Sequence, residues 1–284
     1  MRLKTVYSFL FIGAFARISF ECSSNAGSAE NGAKKHILTD SAYDVFLVAG
    51  QSNTYYGFGL DSVLDKPQRG IYQLGRVDPN NLKIIEAKEP LQHFFTKPNR
   101  IGFALTFAKL YDQYNGYKKN ILIIPCAMDW TGFGDSSWKR GDCLYIDALN
   151  RVNYVFEHYP KSKLAAILWC QGERDVSNKK FQVSLDSMIA GFRKDIKGDN
   201  SKAPFIMGGM VPFWIELESE RTKQQEILKE TQHRMPYVAY ADPYVPFRIS
   251  KPKDTSDIYH YDAKGQREMG KRFFEAYRKL RERN

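Results

Sequence analysis

Three residues of the sequence have the chemistry of an activated hydroxyl. Ser52 follows the apolar run Asp44-Val45-Phe46-Leu47-Val48-Ala49-Gly50 by two positions. A serine hydroxyl needs a base to become nucleophilic at neutral pH. His260 is the natural candidate. Asp257 lies three residues before it, so one turn can hold both and let the carboxylate orient the imidazole. A serine at a strand-to-helix turn also meets the free N–H groups and positive potential of the helix start. Taken singly, each residue has an ordinary explanation: serine after glycine is commonly a helix cap, and a lone histidine is commonly structural. His36, His93, His158 and His233 have no such surroundings and are assigned to structure.

For these residues to meet, the chain must bring distant segments to one place. Five short apolar runs read as buried strands: Asp44 to Gly50, Asn120 to Pro125, Leu164 to Trp169, Pro204 to Gly209 and Tyr237 to Tyr240. Runs apolar on both faces indicate parallel strands covered on both sides by helices. Helix-period segments lie between them. Phe103, Phe107, Leu110, Tyr111 and Tyr114 form one stripe, Ala148, Val152, Val155 and Phe156 a second, and Phe181, Leu185, Met188, Ile189 and Phe192 a third. Residues from Ile215 to His233 are helix-like but very polar. The last helix runs from Asp262, a suitable N-cap, to Arg281, with Met269, Phe273 and Tyr277 on one face. Strand then helix, repeated, predicts a three-layer α/β/α sandwich with a mostly parallel five-stranded sheet. The stretch from Leu60 to Arg100, punctuated by Pro67, Pro79, Pro90 and Pro98, has few clear elements and reads as an ordered excursion near the site. Ligands bind such sheets at the carboxyl ends of the strands. Gly50-Gln51-Ser52-Asn53, Ala127 to Trp138 and Gln171-Gly172-Glu173 each follow a predicted strand, and Asp257 to His260 immediately precedes the last helix.

The whole chain sets bounds on this reading. It has 284 residues, 43% of them hydrophobic, which suits a globular domain rather than a disordered or fibrous chain. Aromatic residues make up 14%; flat rings serve carbohydrate binding, and they serve cores equally well. The net charge of +10 could suit nucleic acid, but the basic residues are scattered and no recognition motif is present. Their densest stretch (Lys271, Arg272, Arg278, Lys279, Arg281 and Arg283) reads as a solvated helix face. At the N-terminus, Arg2 and Lys4 precede an apolar run from Val6 to Ala16, and Ala14-Phe15-Ala16 has a small-x-small pattern. This reads as a signal peptide over residues 1–21, too short for a membrane span, which needs about 20 apolar residues. Residues 22–40 read as a flexible tether, and 41–284 as the folded domain. The expected location is secreted, periplasmic or cell-surface. Ser19-Phe20-Glu21 does not favour a lipid anchor at Cys22. None of the 4 cysteines has CxxC spacing, so no metal site is expected; Cys126, Cys143 and Cys170 leave both disulfide and free thiol open.

Three blocks also resemble a known family. Ala49-Gly50-Gln51-Ser52-Asn53 is similar to the first block of SGNH hydrolases, in the form of sialate O-acetylesterase-like and acetylxylan-esterase-like carbohydrate esterases. Trp169-Cys170-Gln171-Gly172-Glu173 resembles that group's W-x-Q-G-E block, and Asp257-Ile258-Tyr259-His260 its D-x-x-H block. They stand in family order across nearly the whole predicted domain. The resemblance implies a flavodoxin-like fold of the SGNH type and removal of O-acetyl groups from a carbohydrate, without metal or cofactor. It implies Ser52 as nucleophile, His260 as base and Asp257 as its orienting partner. The oxyanion would be held by the Ser52 N–H, the Gln171 amide and a backbone N–H from the segment after the second strand. Gln51, Asn53 and Glu173 would support these, Glu173 by fixing the turn around Gln171. One block departs: where the family reads G-G-T, this chain has Asp129-Trp130-Thr131, then Gly132. Glycine there permits positive φ and close approach of an acyl group; tryptophan does so poorly. The backbone donor could survive beside a pocket narrowed by Trp130, Gly132 could replace it, or the hole could be damaged. The last option leaves a glycan-binding protein on an esterase scaffold. An esterase of lipid or aryl esters is the other alternative.

Overall fold

The computed structural model describes residues 41–251 and 256–283. The expected leader and the whole of the expected tether, Cys22 included, lie outside the described residues. The first strand, β1 (Tyr43–Gly50), is buried from Asp44 onward and lies between two parallel partners. One is β6 (Asn120–Pro125), the other β7 (Lys163–Cys170). Such strands have no solvent face, which is why their sequences are apolar without alternation. Beyond β7 come β8 (Phe205–Gly208) and β9 (Val238–Ala241), both parallel. These are the five strands expected from the sequence, in the flavodoxin-like arrangement in which the first strand sits second in the sheet.

The sheet has 7 strands, not five. Two come from the excursion: β3 (Ile71–Leu74) pairs parallel with β6, and β4 (Ile84–Glu86) pairs antiparallel with β3 at the edge. Runs this short carry too little periodicity to stand out from a loop, and they exist because β6 offers an open edge. The excursion also makes a small antiparallel ribbon from β2 (Gly57–Phe58) and β5 (Arg100–Ile101), beside the turn that follows β1.

On one face of the sheet lie α1 (Ala104–Tyr114) and α6 (Ala263–Arg283). Phe103 and Phe273 stack with ring centroids 4.0 Å apart, and Phe46 of β1 meets Phe107, Tyr111 and Tyr277 edge to face. Burying one such phenylalanine contributes roughly 1.5–3 kcal/mol. The other face carries α2 (Cys143–His158), α3 (Phe181–Asp195) and α5 (Ser219–Arg234), with Trp138 and Trp169 at right angles in its core. The polar helix expected from Ile215 is two pieces, the single turn α4 (Pro212–Ile215) and then α5. The α5 helix is polar because its buried side includes Gln224, Gln225 and Thr231 beside Leu228. Asp262 caps α6 as expected, its Oδ1 accepting from Gly265 N at 2.7 Å.

The basic face of α6 needs one correction. Arg272 is only 5% exposed, and its guanidinium donates to Glu268, Asp242 O and Phe247 O. An arginine satisfied by a carboxylate and two carbonyls can be buried where an unpaired one cannot. Cys126 and Cys170 are buried, unbridged thiols. Burial pushes the Cys126 thiol up to about 12, so it stays protonated.

Candidate functional site

β1 and β7 are neighbours at the sheet's centre, and their C-terminal ends converge. Gly50 has φ +128°, and a Cβ there would lie 2.1 Å from Cys170 O. Only glycine lets the two strands approach this closely before the chain turns. Gln51 N donates to Cys170 O at 2.9 Å, and Thr54 Oγ1 donates to the same carbonyl at 3.2 Å. Between them Ser52 to Thr54 form a single 3-10 turn. That turn holds the Ser52 hydroxyl at the strand end.

The loop before α6 supplies the partner groups. Ser52 Oγ is 3.0 Å from His260 Nε2, and His260 Nδ1 is 2.8 Å from Asp257 Oδ2. The second carboxylate oxygen, Oδ1, accepts from Tyr259 N at 2.8 Å and His260 N at 3.2 Å. Desolvation by partial burial works against the ionised Asp257. The hydrogen bonds from His260 and these backbone N–H groups outweigh it and hold the carboxyl below its usual range. With an ionised carboxylate accepting at Nδ1, the imidazole proton sits on Nδ1 and Nε2 is free to accept from Ser52.

Asn53 ties this loop to the turn. Its Nδ2 donates to Glu173 Oε1 at 2.6 Å and to Tyr259 O at 2.9 Å, and its Oδ1 accepts from Tyr261 N at 3.1 Å. Gln266, one turn into α6, donates to Asn53 O at 2.8 Å. Glu173 therefore grips the residue after Ser52 and not only the turn around Gln171. Burial raises its pKa against the hydrogen bonds that lower it. Gln51 holds the same block from the other side, its Oε1 accepting from Arg174 N at 3.2 Å.

The segment after β6 is built on a residue that the sequence reading passed over. Asp175 is 2% exposed and accepts four hydrogen bonds: from Phe133 N (2.8 Å), Gly134 N (3.0 Å), Gln171 Nε2 (2.7 Å) and Asn178 Nδ2 (2.7 Å). It thereby locks the loops after β6 and β7 together. A Cβ on Gly132 would come within 2.4 Å of its Oδ2, so this glycine is needed for approach rather than for φ. The signal in the sequence was an aspartate two residues beyond Gly172-Glu173, but its partners lie 41 and 42 positions upstream. Either rotamer of an Asp175→Asn amide would point an NH2 at two donors. The expected result is a loss of about 2–4 kcal/mol of stability, read by denaturant unfolding. A loss below about 1 kcal/mol would contradict the locking role.

Gln171 is placed differently from the expectation. It is wholly buried, with Nε2 committed to Asp175 and 3.5 Å from Thr131 O. A side chain without exposed surface cannot reach a substrate oxygen unless the loop moves, so here it joins the two loops. Trp130 is the position that wanted glycine: its φ is +60°. A bulky residue there stores roughly 1–3 kcal/mol of strain. The ring does not narrow the site either, because it stands in solvent at 72% exposure. Asp129 points inward, accepting from Tyr55 OH at 3.2 Å, and Tyr55 stacks on His93 at 4.7 Å. His93, assigned to structure, is fully buried and accepts from Ala127 N at 3.0 Å. Burial, then the nearby Arg76, pushes its pKa down to about 3, so it is neutral.

The result is a shallow rim site: Ser52 is 8% exposed, the His260 side chain 20% and the Asp257 side chain 33%. The rings of Tyr56 and Tyr259 lie 4.4 Å and 6.5 Å from that of His260. A cavity of about 900 Å³ lies elsewhere. It opens at the opposite ends of the strands, beside Asp44, Lys163 and Pro204.

Residues 42–279 match the family described as carbohydrate esterase, sialic acid-specific acetylesterase. Among solved structures, NanS superposes with a TM-score of 0.73 at 20% identity, covering 87% of this chain and 100% of its own. A protein from Arabidopsis thaliana gives 0.69 at 22% identity, covering 84% and 98%. A carbohydrate acetylesterase from Xanthomonas citri gives 0.60 at 15% identity, covering 85% of this chain and 57% of its own. At such identities the likeness shows a shared fold. No curated protein matches the chain.

Proposed function

The chain belongs to the carbohydrate esterases of the sialic acid-specific acetylesterase family and is a carboxylic-ester hydrolase; from that premise we propose that it removes O-acetyl groups from a carbohydrate through an acyl-enzyme on Ser52. The observation that carries this reading is the hydrogen-bonded series from Ser52 Oγ through the His260 ring to Asp257. Ser52 Oγ attacks the acetyl carbonyl as His260 Nε2 takes its proton. The tetrahedral intermediate collapses, and His260 returns the proton to the departing sugar oxygen. Water then attacks the acetyl-serine with His260 again as base, releasing acetate and restoring the hydroxyl. Asp257 keeps the imidazole in the required tautomer and stabilises the imidazolium that forms twice in the cycle.

For the oxyanion we assign the backbone N–H of Ser52 and one from the Asp129–Trp130 segment. Gln171 acts through Asp175 by holding that segment in place. One donor of this kind is commonly worth on the order of 10² to 10³ in rate. The acetyl group and the sugar come from the family description. Export is also part of this reading, supported by the Arg2 and Lys4 flank and the apolar run from Val6 to Ala16. No helix among the described residues is long and apolar enough to cross a membrane.

Covalent capture tests the proposal. A fluorophosphonate should add one label per chain, on the peptide carrying Ser52, and free acetate should appear when an O-acetylated sugar is supplied. Glycan binding without label or acetate would move the reading to a non-catalytic binder. Faster release of long acyl chains than of acetate would move it to a lipid esterase.

A further inference from the structure

Trp130 is strained, and its exposure leaves that strain without an offset. It stands at φ +60°, in the left-handed region that a bulky residue rarely adopts, and it is 72% exposed. Glycine or asparagine would accept the same torsion more readily. A ring that left water on folding would stabilise the fold by its burial, and this one does not leave water. A second large ring stands in solvent at the same rim. Tyr259 is 53% exposed although it adjoins His260, with ring centroids 6.5 Å apart. Its backbone is fixed: the carbonyl accepts from Asn53 and the N–H donates to Asp257. Its ring leans on that of Trp214, with centroids 6.4 Å apart. Trp214 is buried, and Arg221 Cζ lies 4.2 Å from its ring centroid.

The sheet order sets these two rings on opposite sides of Ser52. Trp130 follows β6 and Ser52 follows β1. Trp214, on which Tyr259 leans, lies in α4 after β8, and the strands run in the order β6, β1, β7, β8. Three strand spacings amount to about 14 Å, which is wider than one pyranose ring. The site between the rings is a shallow rim, so a sugar over Ser52 can continue in both directions. The face of an indole or a phenol packs on the apolar C–H face of a sugar ring. The chain belongs to a family of carbohydrate esterases, so a further sugar ring is a ligand that both positions can use. We infer that Trp130 and Tyr259 are stacking subsites for the sugar units on either side of the acetylated one. The preferred substrate is then an oligosaccharide esterified at an internal unit, not a free monosaccharide. This rests on the esterase reading above and adds to it the length of the substrate. The strain at Trp130 is offset when a neighbouring sugar covers its ring.

The test compares one acetyl ester in two settings: on a monosaccharide, and on the middle unit of the linear trimer of the same sugar. O-acetylated N-acetylneuraminic acid and O-acetylated xylose supply the two series, and acetate release is followed for each. The purified wild-type protein should favour the trimer by about 10- to 100-fold in kcat/KM in the series it accepts. Most of the preference should lie in KM, because stacking holds the ground state and the transition state alike. Trp130→Asn keeps the left-handed torsion without the ring, and Tyr259→Ala keeps the backbone bonds without the ring. In each, the trimer-to-monomer ratio should fall by about 3- to 10-fold, and in the double variant it should approach 1. Trp130→Phe and Tyr259→Trp should largely keep it. Because each ratio is taken within one variant, a change at the oxyanion segment or a loss of folded protein cancels. Trp130→Asn should also melt no lower than the wild type, whereas a ring needed for packing would lower the melting temperature. A wild type indifferent to length, or a ratio that survives the double variant, would overturn the subsites and leave the esterase reading standing. So would acetate from neither trimer in protein that a fluorophosphonate labels on Ser52. Absence of acetate from all four compounds, in protein that takes no label, would mark failure of the esterase reading instead.

Discussion

Replacing Ser52 by alanine is expected to lower kcat for acetyl-ester hydrolysis by about 10⁴- to 10⁶-fold. The hydroxyl lies at the end of β1, 3.0 Å from His260 Nε2. Without it no acyl-enzyme forms, and water must attack the ester directly. The fold should be untouched, because Asn53 and not Ser52 carries the bonds that tie the turn to Glu173, Tyr259 and Tyr261. Serine and base act as one unit, so His260→Ala should cost about as much. The double variant should be scarcely worse than either alone. Steady-state release of 4-nitrophenol from 4-nitrophenyl acetate reads all three. Retention of more than about a hundredth of the activity in Ser52→Ala would remove Ser52 as nucleophile. Multiplying losses in the double variant would mean that the two residues do not work on the same proton.

The second large effect is expected at Asp257, where asparagine should reduce kcat by about 10⁴-fold. The geometry decides which way the new amide lies. Oδ1 accepts from two backbone N–H groups, Tyr259 N and His260 N. An amide NH2 in that place would oppose both, so the asparagine oxygen must stay there and the NH2 must face His260 Nδ1. That nitrogen would then have to accept, which moves the imidazole proton to Nε2 and aims it at Ser52 Oγ. The base is lost by tautomer while the shape is kept. The wild-type carboxylate avoids this because it stays ionised through the neutral range, its pKa lying below the usual value. Since the depressed pKa stabilises the folded form only where the group is ionised, that contribution is present above the unfolded carboxyl pKa and is lost as pH falls through the folded one. Kinetics of Asp257→Asn beside its thermal melting curve separate the two consequences. A variant that melts like the wild type at pH 7 yet has lost its turnover fits the tautomer account. One that keeps a tenth of its turnover does not.

Where the candidate residues stand along the chain was legible in the residues alone. Ser52, Gln171 and the start of the 127–138 segment were legible because each follows a buried strand, and a run apolar on both faces is a local signal that needs no knowledge of its neighbours. His260 and Asp257 were legible for the same reason, being one turn apart and next to a capped helix. Five strands and the parallel sheet follow from that pattern. The tertiary structure decided what depends on partners far away. β3 and β4 are 4 and 3 residues long and exist as strands because β6 has an edge for them to join. Arg272 looks solvent-facing in a basic helix, and the carbonyls of residues 242 and 247, together with Glu268, make its burial tolerable. Gln171 could not be assigned from its block alone. Whether its amide serves a substrate or the interior depends on Asp175, and Asp175 is held by amides more than 40 positions upstream. The exchange of glycine for Trp130 was visible, but its consequence was not: backbone torsion at φ +60° turned the ring to solvent, and composition carries no torsion.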